Sequence, residues 1–121
     1  MEQTGVAKMK IIKQPAGDIV LESAHGGSGS RKMLLNNVST SKIEAMTDGF
    51  LPAGAMFDWH EHAGITEVMY VLAGSGKVFD EDGEYDYAVG DFFTFPADVK
   101  HKILNTGDIE SRMIFVRMEQ K

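Results

Sequence analysis

The chain has 121 residues, no cysteine and a formal net charge of −6. That balance argues against the basic surfaces that hold nucleic acid or anionic membranes, and the missing thiols exclude a disulfide framework. With 43% hydrophobic residues, one domain with its own core is expected. No run approaches the roughly 18 apolar residues of a membrane span. Met1-Glu2-Gln3-Thr4-Gly5 lacks the charged-then-apolar plan of a signal peptide, so the expectation is a cytoplasmic protein.

Residues 1–16 are polar around a short apolar patch, Met9 to Ile12, and Pro15 and Gly17 punctuate the end. They read as a flexible N-terminal segment or an edge strand. The span 17–121 reads as the folded domain. Asp18 to Ser23 is a short apolar strand, and His25-Gly26-Gly27-Ser28-Gly29-Ser30 a loop. Glycines at this density can offer backbone N–H groups to an anion, but no helix follows, so a hairpin loop is expected. Arg31 to Val38 and Lys42 to Phe50 read as two strands. Ser41 and Glu44 have the spacing of a helix capping box. Only two turns would fit before Asp48-Gly49, so strand is preferred.

Further on, Asp82-Gly83 sits between two short runs, Lys77 to Asp80 and Glu84 to Val89, a hairpin signal. The acidic residues there lack the spacing of a calcium loop and read as a solvated tip. Phe92 to Pro96, Val99 to Asn105 and Ile109 to Met118 complete the series. About ten short strands parted by Gly, Pro and Asp turns imply an all-β sandwich or barrel.

The stretch Gly54 to Gly74, GAMFDWHEHAGITEVMYVLAG, carries the chemistry. His60 and His62 are one residue apart, and alternate residues of a strand share a face. Ala63-Gly64 can break that strand, and Ile65 to Leu72 can start another that turns Glu67 toward the same cavity. Two imidazoles and a carboxylate on neighbouring strands form a partial metal site. Parity places Met56 and Asp58 beside the histidines, Met69 and Val71 beside Glu67, and Phe57, Trp59 and Tyr70 on the opposite face. Asp58 is then a candidate general base, or an orienter of a histidine N–H; the other reading is that it caps a bend. Met46, Met56 and Met69 are candidates for an adaptable apolar pocket. Arg31, Arg112 and Arg117 have no assigned place.

These residues resemble the two motifs of the cupin superfamily. Gly54, His60, His62, Glu67 and Gly74 fall at the spacings of the first motif, and Gly90, Pro96, His101 and Asn105 at those of the second. Asp98 stands where the family usually has Gly, a change in a turn and not in a ligand. The resemblance implies a jelly-roll-like double-stranded β-helix, the cupin barrel. It also implies His101 as the fourth ligand beside His60, His62 and Glu67, and a homodimer. Three histidines and one glutamate suit one divalent transition metal ion, Fe, Mn, Ni or Zn, with positions left for a small-molecule ligand or substrate. His25 lies outside both motifs and could shuttle protons at the barrel mouth, or simply be solvated. Two functions stay open. One is a metal-dependent enzyme on a small oxygenated molecule, of dioxygenase, isomerase, lyase or cyclase type. The other is a non-catalytic metal-dependent binding or sensing module.

Overall fold

The computed structural model describes residues 13, 15–36 and 42–119. Ten strands run through them: β1 (Leu21–Ala24), β2 (Gly29–Asn36), β3 (Ile43–Leu51), β4 (Met56–His60), β5 (Ile65–Ala73), β6 (Gly76–Asp80), β7 (Gly83–Tyr87), β8 (Phe92–Phe95), β9 (His101–Leu104) and β10 (Ser111–Glu119). All pairings are antiparallel. One sheet has the order β1-β2-β3-β10-β5-β8, the other β4-β9-β6-β7. The two close face to face as a cupin barrel. No helix among the described residues is long and apolar enough to cross a membrane.

The core lies between the sheets and follows strand alternation. Leu51 from β3, Met69 and Val71 from β5 and Met113 from β10 meet Val78 and Ile103 from the opposite sheet. Residues directly opposite in neighbouring strands share a face, so the large sheet presents its inner surface in rungs. Glu22, Arg31, Gly49, Met113 and Val71 form one rung. The next is Met33, Thr47, Phe115, Met69 and Phe93, and beyond it come Ala45, Arg117, Glu67 and Phe95. Gly49 makes room within this surface: a Cβ there would lie 3.0 Å from the Phe115 ring.

Buried polar groups at one end of the barrel are mutually satisfied. Asn105 is fully buried. Its Nδ2 donates to the Leu51 and Ile109 carbonyls at 2.9 and 2.8 Å, and its Oδ1 accepts from the Gly107 N–H at 2.9 Å. Beside it the Tyr87 hydroxyl and Ser111 Oγ bond at 2.7 Å.

Several boundaries differ from the sequence expectation. Ala16–Asp18 forms a 3-10 turn after Pro15, so the first strand begins at Leu21 and not at Asp18. His25–Gly27 is a second tight turn, with φ of 52°, 67° and 97° at His25, Gly26 and Gly27. The hairpin at Asp82-Gly83 forms one residue earlier, because the Asp80 carboxylate accepts the N–H groups of Asp82 and Gly83. Residues 43–51 are strand, so the Ser41–Glu44 capping box nucleates no helix. The expected N-terminal segment, 1–16, lies almost wholly outside the described residues.

Candidate metal centre

Four side chains from three elements converge at the barrel mouth. His60 ends β4 and pairs in register with His101, which starts β9. His62 lies two residues past β4, and Glu67 comes from β5. One ligand atom from each of His60, His62, Glu67 and His101 can be chosen so that all lie within 4.8 Å of one another. Phe95 stacks on the His101 ring at 4.1 Å, which fixes its plane.

The loops behind these ligands are tied together. Asp98 has a φ of 68°, the left-handed conformation that Gly would supply without strain and Asp tolerates. Its carboxylate accepts the Gly64 N–H at 3.1 Å, and its own N–H donates to the His62 carbonyl at 3.3 Å. The residue that departs from the family pattern therefore bridges the two motifs.

Backbone carbonyls set the tautomers. His60 Nδ1 lies 2.6 Å from the Asp58 carbonyl, and His101 Nδ1 lies 3.1 Å from the Val99 carbonyl. A carbonyl only accepts, so each Nδ1 carries the proton and each Nε2 presents a lone pair. Burial pushes His60 down to about 4, so it is neutral at pH 7. Burial alone would raise Glu67. The imidazoles of His101 and His62 outweigh that and hold its carboxyl down at about 2.

His62 Nε2 and His101 Nε2 stand 3.4 and 3.6 Å from Glu67 Oε1, too long for good hydrogen bonds. Both nitrogens are buried without a hydrogen-bond partner. The imidazoles can stabilise the carboxylate as imidazolium or by sharing a cation with it. The three histidine rings stand close together, with centroids 4.3 to 5.8 Å apart. A cation shared by three neutral nitrogens and one carboxylate fits the donor set.

His60, His62 and Glu67 open into a cavity of about 60 Å³, lined also by His25, Arg31, Thr47, Phe57, Phe115 and Arg117. His25 stacks on Phe57 at 4.5 Å and lies 4.8 Å from the His60 ring. Burial pushes His25 below its ordinary value, and Arg31 adds to that. A second cavity, of about 260 Å³, lies behind His101 among Phe79, Tyr85, Phe92, Phe95 and Val99.

The parity reading of the first motif fails at one step. The pairing of β4 with β9 slips between Phe57 and His60, so alternation does not carry across that segment. Phe57 is consequently buried beneath the site, and Met56 is exposed. Asp58 is exposed too, and its carboxylate accepts its neighbour's Trp59 N–H at 2.8 Å. Its carbonyl, not its carboxylate, orients His60. Of the candidate pocket methionines, Met69 fills the core, the alternative role for such residues, and neither Met46 nor Met56 lines this cavity. Trp59 and Tyr70 do face outward, and Met69 and Val71 inward. Arg31 and Arg117, which had no assigned place, stand at the cavity wall. Alternation along Ser111, Met113, Phe115 and Arg117 was the signal that could have placed the second of them.

Residues 49–117 match the cupin domain family, and the chain belongs to it. An uncharacterised protein of Methanocaldococcus jannaschii is 26% identical over 88% of this chain and 85% of its own length. Among solved structures, a predicted oxalate decarboxylase from Thermotoga maritima superposes with a TM-score of 0.82 at 23% identity, covering 89% of this chain and 99% of that one. A sugar phosphate isomerase of the cupin superfamily from Silicibacter pomeroyi gives 0.76 at 21% identity, covering 90% and 76%.

Proposed function

We propose that the protein is a metal-dependent cupin enzyme acting on a small oxygenated molecule. The observation that carries this is the pair of buried, unpartnered Nε2 atoms facing the Glu67 carboxylate. An unpaired buried donor or acceptor costs about 1–3 kcal/mol, and His60, His62, Glu67 and His101 together would recover it on one divalent transition ion (Fe, Mn, Ni or Zn). Such an ion polarises a bound carbonyl or hydroxyl and acidifies bound water. The enzymes among the similar structures, a predicted oxalate decarboxylase and a sugar phosphate isomerase, support catalysis over binding alone.

The chain's own groups divide the remaining work. His25, neutral near pH 7 and facing the cavity, is placed to take and return a proton at a ring nitrogen. Phe57 and Phe115 wall the site against water. The Asp58 carbonyl and the Val99 carbonyl hold two imidazoles in the ligating tautomer.

Elemental analysis of protein purified without added metal tests this reading, with a His60→Ala/His62→Ala control. Near-stoichiometric metal in the wild type alone is expected. Equal metal in both proteins, or none in either, rejects it. His25→Ala should keep the metal and slow turnover of any substrate found. A ligand bound and recovered unchanged by wild type would instead mark a binding or sensing module.

The outer face of the large sheet supports a homodimer. Ile114, Tyr70 and Phe92 form an apolar row across it, with Leu72 beside them, and Tyr70, Phe92 and Leu72 are exposed. Sedimentation should give a dimer that Tyr70→Glu converts to monomer.

A further inference from the structure

The sequence suggested a mostly apolar pocket, but two guanidinium groups line the cavity. Arg117 is directly opposite Glu67 in the pairing of β10 with β5 and so shares its inward face. Its Nη2 bonds Glu44 at 2.9 Å, while its Nε is buried with no hydrogen-bond partner among the described residues. Arg31 lies two rungs away on the same face, close enough to His25 to depress its protonation, and its Nε bonds Glu22 at 2.9 Å. Thr47 lines the wall in the intervening rung.

We propose that Arg117, assisted by Arg31, makes this cavity a receptor for a small carboxylate. Three features carry it. A guanidinium offers donors in a planar fork that matches a carboxylate, and Arg117 has one such donor unsatisfied inside the protein. Two guanidinium groups stand on one cavity face, each with a single glutamate partner and so with donors to spare. The cavity has room for about four water-sized groups, which suits a carboxylate of a few atoms. Glu44 is then a resident competitor for Arg117, which a ligand's carboxylate has to share or displace. This inference deepens the metal-enzyme reading and rests on the same cavity.

Calorimetric titration of Zn²⁺-loaded and metal-free protein tests it, with acetate, glycolate, pyruvate and malonate against the uncharged pyruvamide. Zn²⁺ affinity is measured separately, by competition with a chromophoric chelator. At least one carboxylate should bind ~10-fold more tightly than the amide. Arg117→Gln should abolish that preference and leave Zn²⁺ affinity within ~3-fold, with Arg117→Lys between the two. Glu44→Gln should tighten carboxylate binding several-fold, the opposite sign to a purely structural ion pair. Should Arg117→Gln fail to fold, Glu44→Gln and Arg31→Gln carry the test, the latter weakening carboxylates selectively. Tight Zn²⁺ with no preference for charge, or with a preference that survives Arg117→Gln, overturns the inference and leaves the metal reading intact. Arginine-dependent carboxylate binding by protein that takes up no Zn²⁺ does the reverse. No binding of any of these carboxylates also overturns it.

Discussion

The barrel holds two buried polar clusters that look alike in composition and differ in bookkeeping. Around Asn105 every polar atom of the side chain has a partner: Leu51 and Ile109 accept, Gly107 donates. Around Glu67 two buried imidazole nitrogens have none. A closed network strengthens a fold, and an open one weakens it unless something from outside completes it. The first cluster therefore closes on itself, and the second is left open to completion from outside.

The largest effect expected from this contrast is on metal affinity. His62→Ala should weaken binding by roughly a thousandfold, about 4 kcal/mol, measured by chelator competition. The same change should move the melting temperature of metal-free protein by no more than ~3 °C, since truncation removes an unsatisfied atom along with its packing. A large loss of metal-free stability would break the comparison by making the cluster structural.

Asn105→Ala should do the reverse. It leaves two carbonyls and one N–H unpaired, a cost of about 3–4 kcal/mol, read as a lower urea midpoint. The folded fraction should still bind metal stoichiometrically.

A smaller effect separates the clusters by pH, because only the open one holds a group that titrates in the acid range. His60 is lowered from 6.5 to about 4, chiefly by burial. Between those values the unfolded chain binds a proton that the native state does not, so stability falls as pH falls from 6.5 toward 4 and is flat above 6.5. Denaturation of metal-free protein across this range should show the slope, and His60→Gln should reduce it, His25 supplying the remainder.

The smallest effect concerns the tie between the motifs. Asp98→Gly gives up the bond to Gly64 but gains a residue at ease at φ 68°. It should change stability by under ~1 kcal/mol, whereas Asp98→Ala, which loses the bond and keeps the strain, should cost more. Urea melts of both variants order them, and equal costs would discount the backbone argument.

The legibility of this site in the sequence tracks how local each constraint is. Strand alternation and turn residues announced the all-β barrel, and the spacing of His60, His62 and Glu67 announced their convergence. His101 became readable through the resemblance, since nothing local joins it to residues so far upstream. The inward turn of Phe57 and outward turn of Asp58 escaped because the irregular pairing of β4 with β9 depends on a partner strand that local alternation does not reveal. Arg117 escaped for a related reason. Its own strand shows which face it occupies, but only the register with β5 sets it opposite Glu67.

The pairing of His60 with His101 has a consequence in time. The ligands come from β4, the loop after it, β5 and β9, so the full set exists only after a long loop has closed and both sheets have docked. Contacts formed that late are absent from the folding transition state. A cation held there should slow unfolding and leave the refolding rate nearly untouched, so that the loaded protein is protected chiefly by the height of its exit barrier. Stopped-flow refolding and unfolding with and without metal would show the change on one limb only.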